Sequence, residues 1–334
     1  MPDPDLDADP DRVIANMVSY ILDGISHVED APDKLTDSGA AIHARRGKDF
    51  MRTLCAPVIC ILLAVAVGAC STPSGGSKPS ASAGLELPDQ LQEIAPGMLQ
   101  GYIPIEEQLD SKVFVLPAPA EDSAMQAMDT AWADTMQELR GTARWDLAAH
   151  DADLHFPVPA DVFQCALGIP VNEDDTPALY MLLWRTLTDI GLSPYAAKNA
   201  YQRERPFMVR DETTCTPQDE EALRKDGSYP SGHTAVGWGW ALILTELAPE
   251  RAEALLARGR AFGESRNVCN AHWYSDVVAG RMVGAAAVSK LHDNEQFLAA
   301  MDAARDDIAR ARAAGLTPTI DCEAEARALA TPLQ

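Results

Sequence analysis

Basic residues are scarce in this sequence. Its 334 residues include 27 lysines and arginines against 50 aspartates and glutamates, which gives a formal net charge of −23 and an isoelectric point near 4.5. Phosphate backbones repel such an acidic chain, which argues against binding to a nucleic-acid polymer. An anionic small molecule can therefore be bound only where a local cluster of cations works against the overall field.

The alternation of apolar and polar residues that marks β-strands is missing, and so is any internal repeat. The chain instead carries apolar residues at three- to four-residue spacing, with Pro, Ser and Asn at the starts and Gly at the ends of these stretches. This pattern predicts an all-α fold. The predicted helices cover residues 121–139, 142–149, 177–190, 194–204, 233–247, 249–265, 272–291 and 294–314. Small residues in 272–291 allow close packing, so this helix is expected to be central.

Apolar runs long enough for a comfortable transmembrane helix are also missing. The run at residues 58–69 has 12 residues and follows a basic segment at residues 45–52, a pattern typical of an export signal peptide. Small residues precede Cys70 and a Ser/Gly-rich tract follows it. This resembles a bacterial lipoprotein signal, in which Cys70 becomes the lipidated N-terminus and the chain is anchored in the cell envelope or periplasm. A simple cleaved signal peptide is the alternative.

The export signal divides the chain. Residues 1–50, with 11 acidic and 5 basic residues, are expected to be a disordered acidic extension, or not to be translated if Met51 is the natural start. Residues 51–69 would then be the signal peptide and residues 70–110 a linker rich in Ser, Gly and Pro. A folded domain is expected over residues 111–315, followed by a C-terminal tail over residues 316–334.

Cysteine is infrequent, with seven residues in the chain. Cys55 and Cys60 would leave with the signal peptide, and Cys70 would carry the lipid. The cysteines that remain are Cys165, Cys215, Cys269 and Cys322. An even number in an oxidising compartment suggests two disulfides, for which three pairings exist. Buried free thiols are the alternative.

Polar segments interrupt the helical pattern in three places. In the first, Lys198 and Arg205 are seven residues apart, so on one helix they would share a face, with Pro206 moving Arg205 to its frayed end. The second reads GSYPSGHT over residues 227–234 and leads from a loop into an apolar helix. The N–H groups and dipole at such a helix N-terminus form an anion site, to which His233 adds a proton donor.

The third segment is Ser265-Arg266, five residues, His272, three residues and Asp276. Asp276 lies one helical turn from His272, so it can accept from one ring nitrogen, fix the tautomer and leave the lone pair on the other nitrogen. Taken singly, the three segments have ordinary interpretations: a solvated helix face, an N-cap loop and a structural His–Asp pair. Their occurrence together, each beside apolar helical surface, favours one shared site.

The three segments supply what phosphoryl transfer requires. Arginines offer planar bidentate donors to phosphate oxygens, lysine a point charge, and the loop a hydroxyl and a backbone N–H. The candidate phosphate ligands are Lys198, Arg205, Ser231, Gly232 and Arg266. His272 and His233 fit the nucleophile and the acid for the leaving oxygen.

Together the segments resemble the three-part signature of the type 2 phosphatidic acid phosphatase superfamily, which includes the vanadium haloperoxidases. Within it, GSYPSGHT, the Gly-Glu-Ser-Arg of residues 263–266 and the Asp-Thr-Pro of residues 175–177 are similar to the bacterial class A non-specific acid phosphatases. The resemblance covers about residues 116–310. It implies a compact helical bundle and a phosphomonoesterase that needs no metal or other cofactor and forms a phosphohistidine.

The resemblance also implies roles and partners. His272 would be the nucleophile, His233 the general acid and Asp276 the residue that orients His272, with the five phosphate ligands as above. Small phosphomonoesters, inorganic phosphate and vanadate as an inhibitor are the expected partners, and a homo-oligomer is left open. The family is typically soluble and periplasmic, so a lipid anchor would be a departure in location but not in chemistry.

The resemblance bears on the disulfides as well. Cys215 and Cys269 lie near the phosphate-binding segments in sequence, which favours their pairing. Cys165 and Cys322 would then form the second disulfide.

Other chemistries lack their residues. No Cys is followed six positions later by Arg, no P-loop motif is present, and metal-ligand clusters are absent from the sequence. Asp151-Ala152-Asp153 follows no apolar strand, which disfavours an aspartyl-phosphate enzyme.

Three rivals remain. A vanadium haloperoxidase would hold vanadate in the same cradle, but the short chain and the Gly-Ser-Tyr prefix favour the phosphatase. A membrane-integral lipid or diphosphate phosphatase would need several apolar spans. A phosphate- or phospholipid-binding lipoprotein without activity is disfavoured by the complete His, His and Asp set.

Overall fold

Helices account for most of the folded chain. The structure, a computed structural model, describes residues 92–333. Its α-helices are α1 (Ala124–Gln137), α2 (Ala143–His150), α3 (Gln164–Leu167), α4 (Pro177–Leu192), α5 (Tyr195–Tyr201), α6 (Pro206–Val209), α7 (Glu220–Leu223), α8 (Gly232–Leu247), α9 (Ala252–Val268), α10 (Tyr274–Leu291), α11 (Glu295–Ala313) and α12 (Cys322–Leu329). Short 3-10 helices lie at Ile105–Glu107, Ser111–Val113, Val158–Ala160, Pro217–Asp219 and Pro249–Arg251. The predicted all-α class is confirmed.

Helix α8 lies at the centre of the core, against α4, α9 and α10. Its Val236, Trp240 and Ile243 are completely buried, and the Trp240 indole donates to Thr186 Oγ1 on α4 at 3.1 Å. Burying such large side chains is the main favourable term in folding, at roughly 1.5–3 kcal/mol for a fully buried Val, Ile or Leu. The N-terminus of α8, which carries the predicted anion site, is therefore held by a rigid core helix.

Small residues let α10 approach α8 closely, as its composition predicts. A Cβ atom on Gly280 would lie 2.5 Å from the Ser231 carbonyl oxygen, and one on Gly284 would collide with the Ala235 carbonyl. Only glycine fits at these two contacts. The close approach brings the start of α10, and with it Asp276, beside the loop that precedes α8.

The folded region begins before residue 111. A two-stranded antiparallel hairpin, β1 (Glu93–Ala95) and β2 (Met98–Leu99), turns at Gly97 with a φ of 73°. The Asp189 carboxylate on α4 accepts from the backbone N–H groups of Tyr102 and Ile103, each at 2.8 Å. The expected linker over 70–110 therefore overlaps with packed structure, because a buried acid from distant sequence anchors this segment.

The folded region also extends past residue 315. Helix α12 packs near α2, and Glu325 on it accepts from Arg258 Nε at 3.0 Å. A disulfide joins Cys322 at its start to Cys165 on α3. The expected C-terminal tail thus contains a docked helix, whose anchors Cys165 and Arg258 lie far away in sequence.

Both disulfides follow the favoured pairing. Cys165 is bonded to Cys322 and Cys215 to Cys269. The second disulfide joins the loop after α6 to the end of α9, next to the segment that carries His272. The preference for this pairing over the two alternatives is confirmed.

The prediction of one helix carrying both Lys198 and Arg205 is wrong. Helix α5 ends at Tyr201, because Gln202 takes a left-handed conformation with a φ of 44°. Arg205 has extended backbone and precedes α6, as expected for a residue before proline. The two cations meet through this turn in the chain rather than along one helical face.

The predictions for residues 1–50, for the signal peptide at 51–69 and for lipidation of Cys70 lie outside the described residues. Among the helices of residues 92–333, none has the length and apolar character to cross a membrane.

Candidate active site

The loop over residues 227–234 is pinned on both sides before it enters α8. Ser231 is the N-cap, and its Oγ accepts from the Thr234 N–H at 3.3 Å. The Ser231 N–H donates to the Asp276 carbonyl at 3.0 Å, and the Ser228 N–H donates to the Arg203 carbonyl at 2.8 Å. These bonds tie the loop to α10 and to the segment after α5. The first residues of α8 are thereby fixed at the site.

His272 precedes α10, and its imidazole is held through both ring nitrogens. Nε2 lies 3.0 Å from Arg205 Nη1, and Nδ1 lies 3.4 Å from Asp276 Oδ2, with a further hydrogen bond to the Ser228 backbone. A guanidinium can only donate, so Nε2 is the acceptor and the proton is assigned to Nδ1. In this tautomer the Nε2 lone pair faces the cations.

Burial and charge keep the His272 imidazole neutral. Burial, followed by the nearby charges of Arg205 and Lys198, lowers its pKa well below the ordinary value. Burial raises the pKa of Asp276, while the Arg203 guanidinium opposes that shift. A neutral imidazole with an available lone pair is the form that can attack an electrophile.

His233 is the second residue of α8. Its Nε2 lies 2.9 Å from the Ala152 carbonyl oxygen, which can only accept, so the proton is assigned to Nε2. Burial, followed by the charge of Arg266, lowers the pKa of His233 well below the ordinary value. The ring is therefore neutral in the substrate-free protein, and protonation requires acid or a nearby negative charge.

The three predicted cations are buried. Lys198, Arg205 and Arg266 expose 3%, 1% and 0% of their surface. Burial lowers the pKa of the Lys198 ammonium, while the Asp226 carboxylate opposes that shift. Buried cations act on a bound anion with little screening by water. They also attract the carboxylate of Asp226, which lies 2.9 Å from Lys198 Nζ and 3.1 Å from Arg205 Nη2.

One cavity brings together five of the eight predicted site residues. Its polar lining residues are His155, Lys198, Arg205, Asp226, Gly232, His233 and His272. Its apolar lining residues are Leu154, Leu187, Tyr195, Leu223 and Val236. Ser231, Arg266 and Asp276 are completely buried and do not line the cavity. The cavity thus combines cations, a helix N-terminus and two neutral imidazoles, a set suited to binding and displacing groups on an anion.

Comparison with known proteins gives the family of this chain. The family model of the PAP2 superfamily matches residues 177–293. An acid phosphatase of Zymomonas mobilis is 41% identical over 213 residues, which cover 63% of this chain and 79% of the relative. A non-specific acid phosphatase of Providencia stuartii is 40% identical, covering 63% and 85%, and one of Salmonella typhimurium is 41% identical, covering 61% and 82%.

The chain belongs to the non-specific acid phosphatases of the PAP2 superfamily. It is therefore a phosphoric monoester hydrolase, as the sequence predicts. The matched superfamily region contains Lys198, Arg205, Gly232, His233 and His272, which all line the cavity.

A charged residue of this acid phosphatase that sequence reasoning did not assign to the site is Arg203. Its Nη1 lies 2.5 Å from Asp276 Oδ1 and its Nη2 lies 2.7 Å from Asp129 Oδ2 on α1. Asp129 also accepts from the Ser275 N–H at 2.8 Å. The only sequence signal was the position of Arg203 inside the Lys-x6-Arg-Pro segment, and nothing marked Asp129 as a partner.

In this acid phosphatase a second group of charged residues, also not predicted, holds the segment whose carbonyl accepts from His233. Asp151 accepts two bonds from Arg258, at 3.1 and 2.5 Å, and one from Ser265 Oγ at 2.5 Å. Arg144 donates to the same Ser265 Oγ at 2.9 Å. Asp151 precedes Ala152, whose carbonyl accepts from His233. Ser265 of the third segment therefore has a structural partner set and does not line the cavity.

Proposed function

We propose that this acid phosphatase hydrolyses small phosphomonoesters through a phosphohistidine on His272, without a metal ion. The observation that carries the proposal is the His272 imidazole, neutral, with Nδ1 toward Asp276 and Nε2 toward Arg205 at 3.0 Å, in the cavity that also holds His233. Both histidines line this cavity, which supports assigning one as the nucleophile and the other as the acid.

The first step forms a bond between His272 Nε2 and phosphorus while the bond to the ester oxygen breaks. The departing oxygen takes a proton from His233 and leaves as an alcohol. Since the Ala152 carbonyl retains Nε2–H of His233, the transferred proton comes from Nδ1 of the imidazolium. In the second step His233 takes a proton from water, whose oxygen bonds to phosphorus while the bond to His272 Nε2 breaks, and inorganic phosphate is released.

The acidic working range follows from the environment of His233. Burial and Arg266 depress its pKa in the substrate-free protein, so the imidazolium forms only in acid or beside a bound phosphate. A dianionic ester raises the pKa of a neighbouring imidazole because opposite charges favour the protonated form. Substrate binding would therefore favour the protonated form of His233, which is the acid that the first step needs.

We assign the phosphate oxygens to the buried cations and to the start of α8. The proposed ligands are Lys198, Arg205, Ser231, Gly232 and Arg266. The positive charge of Lys198, Arg205 and Arg266 stabilises the negative charge that spreads over the equatorial oxygens in the transition state. This stabilisation is often the largest catalytic term. Inorganic phosphate and vanadate should compete for the same ligands.

The experiment is hydrolysis of p-nitrophenyl phosphate by the purified protein at acidic pH, with and without EDTA. We expect full activity in EDTA and an acid-quenched phosphoenzyme that is lost in His272→Ala. His292→Ala is the matched control, because this histidine pairs with Glu246 outside the cavity and should retain both signals. Activity that disappears in EDTA, or labelling that survives in His272→Ala, would overturn the mechanism.

We also propose that the enzyme is exported and lipid-anchored at Cys70, with residues 51–69 removed as the signal peptide. The two disulfides support export, since such bonds persist in oxidising compartments. Metabolic labelling with a radioactive fatty acid should mark the wild type and spare Cys70→Ser. Equal labelling of both, or an uncleaved N-terminus by mass spectrometry, would refute this assignment.

A further inference from the structure

Asp226 lies between two of the cations that we assign to phosphate. Its Oδ2 is 2.9 Å from Lys198 Nζ and 3.1 Å from Arg205 Nη2, and its side chain is 12% exposed. It lines the same cavity as His272 and Gly232. A carboxylate therefore occupies cationic donors that face the position of the substrate.

The hydrogen bonds of Arg205 show that all of its N–H donors already have acceptors. A guanidinium has five N–H donors. In Arg205, Nε donates to the Leu223 and Asp226 carbonyls, Nη1 to the Ala271 carbonyl and His272 Nε2, and Nη2 to Asp226 Oδ2 and the Gly227 carbonyl. A phosphoryl oxygen can gain a donor from Arg205 only by replacing one of these acceptors.

The replaceable acceptors are the two that face the cavity. His272 Nε2 gives up its contact when its lone pair attacks phosphorus, which frees one donor on Nη1. The backbone carbonyls are fixed by the fold, whereas the Asp226 carboxylate is a side chain on the loop after α7. Lys198 repeats the pattern, since its Nζ donates to Asp226 Oδ2 and to the Gly227 carbonyl.

We propose that Asp226 is a resident anion that competes with phosphate for Lys198 and Arg205 and thereby weakens retention of the product. The inference rests on the proposed function, because it takes these two cations as phosphate ligands. With Asp226 ionised, the formal charge of the clamp formed by Lys198, Arg205 and Arg266 falls from +3 to +2.

The competition follows from like charge. A bound phosphate either displaces the Asp226 carboxylate from its donors or holds its own oxygens next to it, and both alternatives cost binding free energy. The cost applies to the released phosphate dianion as well as to the ester. Without it, three buried cations would hold the product tightly and slow turnover.

The test is Asp226→Asn, which keeps the side-chain shape and removes the charge. We expect the inhibition constant of inorganic phosphate to fall about tenfold, equivalent to about 1.4 kcal/mol, and that of vanadate to fall likewise. Glu221→Gln is the matched control, because it removes one negative charge from the neighbouring α7 where Glu221 is exposed and pairs with Lys225. It should leave both constants unchanged.

An inhibition constant that is unchanged or higher in Asp226→Asn would overturn the proposal and leave Asp226 as an anchor for the two cations. If Asp226→Asn does not fold, Asp226→Glu provides the second test, since its longer carboxylate should reach further into the clamp and raise the phosphate inhibition constant. Equal or tighter phosphate binding in Asp226→Glu would contradict the competition.

The two levels of proposal fail separately. If wild-type activity disappears in EDTA, or labelling survives in His272→Ala, the proposed function fails whatever Asp226 does. If the wild type shows competitive inhibition and turnover but Asp226→Asn matches it, only the role of Asp226 is refuted. Phosphate binding measured by calorimetry in His272→Ala gives the same comparison without turnover.

Discussion

Arg203 Nη1 contacts Asp276 Oδ1 at 2.5 Å, while the other oxygen of Asp276 faces His272 at 3.4 Å. Asp276 is completely buried, and burial raises its pKa. The guanidinium opposes this shift and fixes the carboxylate in position. Arg203 is in turn bound to Asp129 on α1, so a helix far in sequence from the signature helps to hold the carboxylate that faces His272.

Substitution of Arg203 by lysine should therefore lower kcat while changing KM little. A lysine ammonium cannot bridge Asp276 and Asp129 with the planar geometry of a guanidinium. We expect a loss of about 10- to 100-fold, the range seen when hydrogen-bond partners that orient metal-binding histidines are removed. Arg210→Lys is the control, because Arg210 pairs with Asp134 and Glu212 at the surface and should keep wild-type kinetics. A change confined to KM would contradict a positioning role.

Replacing His233 by asparagine should harm substrates with poor leaving groups most. If His233 protonates the departing oxygen, an alkyl phosphate should lose about 10²- to 10⁴-fold in kcat/KM, whereas p-nitrophenyl phosphate, whose leaving group is a weak base, should lose far less. The measurement is kcat/KM across a series of esters plotted against leaving-group pKa. Parallel lines for wild type and His233→Asn would show that the residue is not the acid.

The two depressed histidine pKa values predict that the substrate-free protein loses stability on acidification. Below the unfolded-state pKa of about 6.5 the unfolded chain takes up protons that folded His233 and His272 resist, so the free energy of unfolding decreases as pH falls. The slope is at most about 1.4 kcal/mol per pH unit for each histidine. Denaturant unfolding from pH 7.5 to 5 measures it.

The control for this pH effect is the double variant His233→Gln/His272→Gln, which should show a shallower decline. Comparison with the wild type cancels groups that titrate in both proteins, such as Asp189. Burial raises the pKa of Asp189 to about 7, which favours the folded state as pH falls. Identical pH slopes in the two proteins would mean that the histidines are not depressed.

Removal of one disulfide should lower stability alone, whereas removal of the other should lower stability and activity. Replacing both members of Cys165–Cys322 by serine should cost about 2–4 kcal/mol of unfolding free energy, because this bond closes a loop of 157 residues and holds α12. Turnover should remain within about twofold, since neither cysteine lines the cavity.

The matched variant replaces Cys215 and Cys269 by serine and should lower kcat/KM as well as stability. Cys269 ends α9 three residues before His272, and its carbonyl accepts from the Cys215 N–H at 3.2 Å. Loss of the Cys215–Cys269 disulfide would loosen the segment whose Ala271 carbonyl accepts from Arg205. Kinetics and unfolding measured on both double variants test the contrast, and an equal effect on kcat/KM would contradict it.

Much of the helical architecture was predictable because its signals are local. Apolar periodicity and N-caps are properties of neighbouring residues, so α8, α10 and α11 were placed to within one or two residues, and the Asn294 side chain accepts from the Phe297 N–H at 3.0 Å as an N-cap should. The hairpin before residue 111 and α12 were not predicted. They are held by contacts with Trp184, Arg258 and Cys165, which lie far away in sequence.

The sequence by itself determined the all-α class, the family and the types of residue in the site, because side-chain chemistry and short spacings are written in the chain. It could not determine which partner each charge finds. A left-handed residue at Gln202 broke the expected helix, and only the packed fold brought Arg203 to Asp276 and Asp226 to Lys198 and Arg205. Such partners are decided by tertiary structure, since buried charges must be paired and the nearest available partner depends on how distant segments pack.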